Sequence, residues 1–191
     1  MTDLRLAWLG DDFTGAAAVM EVLSFAGLPS VLFTEPPTAA LMARFADCAA
    51  VGLATTARAQ GPAWMAEHLP PLFAALDALQ PQILHYKICS TFDSAPHLGS
   101  IGAAIAAGLS VRPSRAVPLL TAAPAMRRYQ AFGHLFAGSP QGVFRLDRHP
   151  VMAHHPATPM AESDLLAHLT AQTDLPPALI GLERPAKDQQ R

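Results

Sequence analysis

Residues 4–15 read LRLAWLGDDFTG, and this stretch decides which fold the rest of the chain can build. Its apolar first half predicts a short strand, and the glycine, two carboxylates and Thr-Gly step predict a turn and a helix beginning at about Thr14. In open α/β sheets, ligands bind outside the carboxyl ends of the strands, where a new helix offers free N–H groups. Asp11 and Asp12 would lie there, suited to grip a polyol or hold a metal. The alternative is that Asp12 or Thr14 simply caps the helix.

Strand-like and helix-like runs alternate over the first two-thirds of the chain. The predicted strands are Leu4–Leu9, Ser30–Thr34, Cys48–Ala54, Ile83–Ile88 and Ala116–Leu120, and the predicted helices are Thr14–Ala26, Thr38–Phe45, Gly61–Leu79 and Leu98–Leu109. We expect Gly27 to end the first helix and Pro70-Pro71 to break or kink the third. This alternation predicts an α/β fold, a mainly parallel sheet with helices on both faces in a Rossmann-like three-layer arrangement.

The pattern loosens after Thr121. Residues 122–160 are rich in Pro, Gly and His and show little periodicity, which predicts a long irregular excursion. A helix over Ser163–Thr173 and a last strand over Leu179–Leu182 are predicted beyond it. We expect a single domain over residues 1–182, followed by a polar tail over residues 183–191 that does not fold.

Composition restricts the partners of the chain. A formal net charge of −2 over 191 residues shows no basic excess, which argues against nucleic acid as a partner. Charged residues make up 15% and apolar residues 51% of the chain, whereas roughly a quarter of an average domain is charged. This deficit predicts a surface partly covered by another domain or by a second copy of the chain, as in a homodimer. A high alanine content is the competing explanation.

The two cysteines and the N-terminal residues favour a cytoplasmic protein. Cys48 and Cys89 are far apart and form no CxxC pair, so reduced thiols are expected rather than a disulfide framework. Asp3 and Arg5 interrupt the N-terminal stretch, which lacks the apolar core of a signal peptide. No run approaches the ~20 apolar residues that a membrane span needs.

Polar residues gather at the ends of three predicted strands. They are Asp11 and Asp12, Arg58, and the stretch Lys87–Asp93. Because the carboxyl ends of parallel strands open on the same edge, we expect these side chains to form one site.

The residue types at this edge suit a small hydroxylated acid. Carboxylates bind hydroxyls, whereas Arg58 and Lys87 would bind a carboxylate or a phosphate. Ser90 and Thr91 could add hydroxyl and backbone N–H donors. The alternative for Arg58 and Lys87 is a pair of structural salt bridges at the sheet edge.

Other candidates carry less weight. His149, His154 and His155 fit no standard metal-ligand spacing and lie among prolines, so a solvated or loop-packing role is favoured and no metal site is predicted. Lys87 could lower the pKa of Cys89, but the sequence places no histidine beside this thiol and we do not expect a nucleophile. No phosphate-binding glycine motif is present, so we expect no ATP site on this chain.

Several motifs together resemble the four-carbon acid sugar kinase family. They are GDDFTG at 10–15, YKICSTFDSAP at 86–96, GSIG at 99–102, RY at 128–129, FGHLFA at 132–137 and HPATPM at 155–160. The KxCSTFDS form is most similar to the 3-oxo-tetronate kinase branch. The resemblance runs from about Leu4 to Leu182 and keeps the order of the motifs.

The resemblance implies a substrate-binding N-terminal domain of an ATP-dependent kinase. In that family, a sugar-acid-binding α/β domain precedes a nucleotide-binding domain, and ATP phosphorylates the terminal 4-hydroxyl of a four-carbon acid. It implies substrate contacts for Asp11, for Arg58 and for Lys87, Cys89, Ser90 and Thr91. Asp12 is the candidate catalytic residue that orients or deprotonates the attacking hydroxyl. Mg²⁺ would arrive with the nucleotide.

The sequence departs from the family pattern in two respects. The nucleotide-binding domain is absent from these 191 residues, so we expect no ATP turnover by this chain alone and a separately encoded nucleotide-binding domain as a possible partner. Ala16-Ala17-Ala18 stands where relatives keep polar residues, which puts substrate affinity in question. The alternative function is a truncated, non-catalytic binding module or relic.

Overall fold

The computed structural model describes residues 4–181, and its first large element is a parallel sheet. The strands are β1 (Leu6–Gly10), β2 (Ser30–Phe33), β3 (Ala50–Ala54) and β4 (Ile83–Lys87), in the spatial order β2-β3-β1-β4. Strand β1 pairs in parallel with β3 on one side and β4 on the other. The first four predicted strands are therefore confirmed, and their carboxyl ends do share one edge.

Within residues 4–181, five α-helices accompany this sheet and a smaller second one. They are α1 (Phe13–Phe25), α2 (Ala39–Ala43), α3 (Pro62–Asp77), α4 (Ile101–Val111) and α5 (Leu165–Thr170). Helix α1 begins because the Asp12 side chain accepts the N–H of Gly15. The chain leaves α1 through Gly27, whose left-handed φ of 81° suits glycine and confirms the predicted end.

The two faces of the parallel sheet are covered by different helices. Trp8 is fully buried on one face, where its Nε1 donates to the carbonyl of Ala16 in α1 at 3.2 Å. Ala7 and Leu9 point to the opposite face and join a buried cluster with residues of α3 and α4. We call this cluster the first core. The arrangement confirms the predicted three-layer α/β fold.

Helix α3 runs through Pro70 and Pro71, so the chain does not break there, and the predicted alternative of a kink stays a prediction. Neither proline can donate to the carbonyl four residues before it, and the helix forgoes two backbone hydrogen bonds. Leu69 and Phe73 flank the prolines and are buried in the first core. Their packing keeps the helix continuous.

The irregular excursion predicted over residues 122–160 contains an antiparallel sheet. Its strands are β5 (Arg128–Ala131), β6 (His134–Ser139) and β7 (Gly142–Arg145). The turn between β5 and β6 is Phe132–Gly133, both with positive φ, as two-residue hairpins of type I′ require. Burial alternates along β6, but the residues HLFAGS do not alternate between polar and apolar, so the sequence carries no clear period-two pattern there.

Two further strand predictions fail. Residues 116–120 form no strand, because Pro118 lacks an N–H and Leu120 is 76% exposed. Residues 179–181 form no strand either, whereas Leu182 and the tail over residues 183–191 lie outside the described residues. The helix predicted over Ser163–Thr173 is confirmed as the shorter α5, which Asp164 caps.

A second core lies between the antiparallel sheet, α5 and the start of α4. Its buried residues are Phe92, Ile101, Leu135, Ala137, Leu146, Met152, Met160, Leu165 and Leu169. Phe92 enters it from the loop after β4 with a left-handed φ of 60°, a conformation that costs a bulky residue roughly 1–3 kcal/mol. In residues 4–181, no helix has both the length and the apolar character needed to cross a membrane.

We expect Gly52→Ala to destabilise the parallel sheet. A Cβ atom on Gly52 would lie 2.1 Å from Cε2 of the buried Trp8, so the indole would have to move. Overpacking of this kind costs about 1–3 kcal/mol. The control is Gly108→Ala inside α4, where the new Cβ would meet Phe73 no closer than 3.5 Å. Urea denaturation should show a loss for the first variant and none for the second, and equal midpoints would contradict the packing argument.

We expect the fold to lose stability as the pH falls, partly through His168. Burial lowers the pKa of His168 below its ordinary value of 6.5, and the hydrogen bond to the Ser94 carbonyl opposes this only in part. The unfolded chain therefore binds the proton more readily. The stability that neutral His168 contributes is present above the ordinary value and is lost as the pH falls below it.

The measurement is urea denaturation at about pH 7.5 and about pH 5.5, on either side of the ordinary histidine pKa. His168→Gln should lose less stability between the two values than the wild type. His154→Gln replaces an exposed histidine and should behave as the wild type does. The same loss in wild type and His168→Gln would refute the assignment.

Candidate functional site

Asp11 lies at the centre of the edge where the parallel strands end. It follows β1 directly and is only 4% exposed. Its Oδ1 accepts Nη2 of Arg58 at 2.7 Å, and its Oδ2 accepts Nε of Arg58 at 3.1 Å and the N–H of Cys89 at 3.2 Å. Burial raises the pKa of Asp11, and the hydrogen bonds from Arg58 oppose that increase. The carboxylate is thus held on several sides.

Asp12 has two roles in the structure. Its Oδ1 accepts the N–H of Gly15 at 2.6 Å, which is the cap expected at a helix start. Its Oδ2 accepts Nη1 of Arg58 at 2.7 Å, and the side chain stays 27% exposed. The capping interpretation is therefore confirmed, and one face of the same carboxylate remains open to solvent.

Arg58 reaches both carboxylates from a short turn after β3. Its backbone N–H donates to the carbonyl of Asp11 at 2.9 Å. Gly99 packs so closely that a Cβ atom there would lie 2.5 Å from the Arg58 carbonyl oxygen. Burial lowers the pKa of Arg58, but the hydrogen bonds to Asp11 outweigh it and leave the pKa above its ordinary value. Within residues 4–181, three of its five N–H groups donate, all to these two carboxylates.

Lys87 ends β4 and lies beside the start of α1. Its Nζ donates to the carbonyl of Ile88. A Cβ atom on Gly15 would lie 3.5 Å from Nζ of Lys87 and 3.7 Å from Nη2 of Arg58. The tighter limit is Oδ1 of Asp12, which would lie 2.7 Å from that Cβ atom, so glycine leaves room for the capping carboxylate with the two cationic groups beside it. The salt-bridge alternative holds for Arg58, whereas Lys87 forms no ion pair with any residue from 4 to 181.

The loop after β4 orients another carboxylate. Thr91 donates from Oγ1 to Oδ1 of Asp93 at 2.8 Å, and Cys89 donates from Sγ to Oδ2 of the same residue at 3.2 Å. Burial, with Asp93 adding to it, raises the pKa of the Cys89 thiol, which agrees with the expectation that it is not a nucleophile. Ser90 lies half-buried between them.

A cavity of about 360 Å³ opens beside these residues. Its lining comes from the strand ends, from the loop before α4 and from a segment near residue 155: Asp11, Asp12, Phe13, Thr55, Thr56, Arg58, Ala59, Asp93, Leu98, His155, Ala157 and Thr158. Three of the predicted site residues, Asp11, Asp12 and Arg58, line it. The other four, Lys87, Cys89, Ser90 and Thr91, lie beside the cavity without lining it, and their role as ligands stays a prediction.

Sequence reasoning placed Asp93 with the strand ends, as part of the stretch Lys87–Asp93, but it did not place His155 and Thr158 in the same site. Nδ1 of His155 accepts the backbone N–H of Thr158 at 3.1 Å. The motif HPATPM at 155–160 was the available signal, but its histidine could not be told from a loop-packing one. His149 does pack within its loop, where its Nδ1 accepts the N–H groups of Val151 and Met152. Across residues 4–181, no three His, Cys, Asp or Glu side chains are grouped to hold a metal ion.

Comparison with known proteins identifies relatives of nearly the whole chain. Residues 6–191 match the family described as a sugar-binding N-terminal domain, a range that includes the predicted tail. The chain is 49% identical over 170 residues to a 3-oxo-isoapionate kinase of Paraburkholderia graminis, covering 89% of this chain and 36% of that protein. It is 34% identical over 178 residues to a 3-oxo-tetronate kinase of Pseudomonas fluorescens, covering 92% and 39%.

A solved structure shows the same fold. A Salmonella typhimurium protein described as a putative tRNA synthase superposes with a TM-score of 0.78 at 27% identity, covering 90% of this chain and 39% of that one. The chain therefore spans well under half the length of the relatives that it matches. Because the family match takes in nearly all of its residues and two kinases share a third to a half of them, the chain belongs to the sugar-binding N-terminal domain family, as its resemblance to the four-carbon acid sugar kinases predicted.

Proposed function

We propose that this chain is the acid-binding part of an ATP-dependent kinase that phosphorylates a hydroxyl of a small 3-oxo sugar acid. In 3-oxo-tetronate the acceptor would be the terminal 4-hydroxyl. Family membership and the names of the kinase relatives support the class of reaction. The observation that carries the proposal is the cavity at the strand ends, which brings an arginine and three carboxylates together.

The charges around the cavity suit an acid that also carries hydroxyls. Two N–H groups of Arg58 are not used by Asp11 or Asp12, and they can bind the carboxylate of the acid with Lys87 close by. Asp12 and Asp93 offer carboxylate oxygens that accept hydrogen bonds from hydroxyls. Asp11 is too enclosed to be a principal ligand, and it holds Arg58 in position instead.

The chemical role of this chain is to position the acceptor. Phosphoryl transfer relies mainly on alignment and on neutralising charge. We assign to Asp12 the task of orienting the attacking hydroxyl, because its Oδ2 is partly exposed and its position is fixed by the cap and by Arg58. ATP with Mg²⁺ would supply the phosphoryl group, and we assign both to a nucleotide-binding domain. The residues described here do not form a metal site.

The partners and the location follow from the same proposal. The nucleotide-binding domain would come from the same polypeptide or from a separate chain. The apolar surface inferred from the low charge content would be covered by that domain or, alternatively, by a second copy of this chain. We place the reaction in the cytoplasm, where ATP is available and where thiols such as Cys48 and Cys89 stay reduced.

Comparing the binding of two candidate acids can identify the acid that this chain takes. The relative named for 3-oxo-isoapionate is 49% identical to this chain and the one named for 3-oxo-tetronate is 34% identical. Both names describe 3-oxo acids, so we propose this class and test the two side by side.

Calorimetric titration of the chain tests the proposal. We expect 3-oxo-isoapionate or 3-oxo-tetronate to bind without ATP, because the acceptor groups lie on this chain. ATP alone should give no binding heat. Failure of both acids to bind would overturn the proposal and favour a relic without a functional site.

The substitution Asp12→Ser tests whether the Asp12 carboxylate binds the acid in addition to capping helix α1. Serine caps a helix about as well as aspartate, so the free energy of unfolding should change by about 1 kcal/mol or less. Loss of the carboxylate facing the cavity should weaken acid binding by ~10-fold or more, since hydrogen bonds to charged groups contribute ~1.5–3 kcal/mol.

Asp164→Ser is the matched control. Asp164 caps α5 by accepting the N–H groups of Leu166 and Ala167, and it does not line the cavity. Both variants therefore replace a capping aspartate, but only Asp12→Ser should reduce affinity. Equal affinity in the two variants would remove Asp12 from the site.

A further inference from the structure

The cavity has a second wall, which is formed by a loop rather than by the strand ends. Residues 149–160 form this wall, with His155, Ala157 and Thr158 facing the cavity. The loop is closed on itself, because the N–H of Met160 donates to the carbonyl of Met152 at 2.9 Å. Both methionines are buried in the second core. His155 is thus carried by an anchored loop and not by a free one.

The hydrogen bonds of His155 determine which ring nitrogen carries the proton. The backbone N–H of Thr158 can only donate, and it approaches Nδ1 of His155 at 3.1 Å. Oγ1 of Thr158 lies at the same distance from that nitrogen. Thr158 is only 3% exposed, so these contacts are sheltered from water. The neutral ring therefore carries its proton on Nε2, which leaves His155 with one N–H donor for a ligand.

Among the described lining residues, side-chain donors are scarce. The Thr55 hydroxyl already donates to the carbonyl of Gly10, whereas the Thr56 hydroxyl accepts from the side chain of Gln60 and keeps its own proton to donate. Arg58 on the sheet wall and His155 on the loop wall remain as N–H donors, against the carboxylates of Asp11, Asp12 and Asp93. A ligand that matches this pattern has two separate groups that only accept hydrogen bonds, together with hydroxyls that donate to carboxylates. A 3-oxo sugar acid has these groups, namely its carboxylate and its ketone.

We propose that His155 donates from Nε2 to the ketone oxygen of the 3-oxo acid while Arg58 holds the carboxylate, and that His155 thereby sets the preference for a 3-oxo over a 3-hydroxy acid. This inference rests on the proposed function. A hydroxyl in place of the ketone brings a proton of its own. On the loop wall, Oγ1 of Thr158 lies beside Nδ1 of His155 rather than Nε2, and Thr158 is only 3% exposed, so little acceptor surface is available to that proton there. A polar group left unpaired on binding reduces affinity.

Two substitutions separate a ligand contact from a structural role. His155→Asn keeps an oxygen near the position of Nδ1 for the Thr158 N–H, but it has no group at the position of Nε2. His155→Gln extends an amide NH₂ toward the position of Nε2 and gives up the contact at Nδ1. His154→Asn is the matched control, since His154 is exposed, adjacent in sequence and absent from the cavity lining.

The experiment is calorimetric titration of each protein with 3-oxo-tetronate and with threonate, its 3-hydroxy counterpart, after thermal unfolding has shown that each variant folds. The wild type should prefer the oxo acid by ~10-fold or more. His155→Asn should lose most of that preference, and His155→Gln and His154→Asn should keep it.

The results test the role of His155 separately from the proposed acid-binding function. If the wild type binds neither acid, the proposed function fails and the inference fails with it. If the wild type prefers the oxo acid and His155→Asn prefers it equally, only the role of His155 is refuted. Weaker binding of both acids by the same factor in His155→Gln, with His155→Asn unchanged, would show a purely structural role.

Discussion

The buried carboxylate of Asp11 is the interaction on which the geometry of this molecule depends. It joins the ends of three strands, because Asp11 follows β1, Arg58 follows β3 and the N–H of Cys89 follows β4. The backbone of Asp11 adds a bond to the carbonyl of Lys87 and another from the N–H of Arg58. Removing Arg58 would leave the buried Asp11 without its charged partner, a change that costs about 3–5 kcal/mol in fully buried pairs. The open face of Asp12 and the unused N–H groups of Arg58 keep their positions because this junction is fixed.

The part of the fold that follows local rules was predictable. Apolar runs ending at Leu9, Ala54 and Ile88 indicated parallel strands, and the polar residues at their ends indicated one shared edge. That reasoning brought Asp11, Asp12 and Arg58 together from distant positions in the sequence. It failed where packing overrides propensity, as in α3, whose buried Leu69 and Phe73 carry the helix through two prolines.

The remainder depends on contacts that no local pattern reveals. The hairpins over residues 128–145 are short and their turn includes Phe132, an unusual residue for a positive φ. His155 shares a cavity with Asp11 only because the second core holds its loop against the end of the sheet. Two side chains separated by more than a hundred residues were thus brought together by tertiary packing, and spacing alone made the histidine look like an ordinary loop residue.

The division into two cores affects how the molecule opens. Buried residues of the first core lie between positions 7 and 107, and those of the second lie between positions 92 and 169. The two groups overlap only at the loop before α4 and in α4 itself, so each is largely continuous along the chain, as cooperative folding units often are. The cavity lies where the two units meet. Partial unfolding of the second unit would therefore remove the loop wall and leave the wall formed by the strand ends in place. An acid that contacts both walls would bind only when the second unit is folded against the first. Its binding free energy would therefore add to the free energy of unfolding of the second unit.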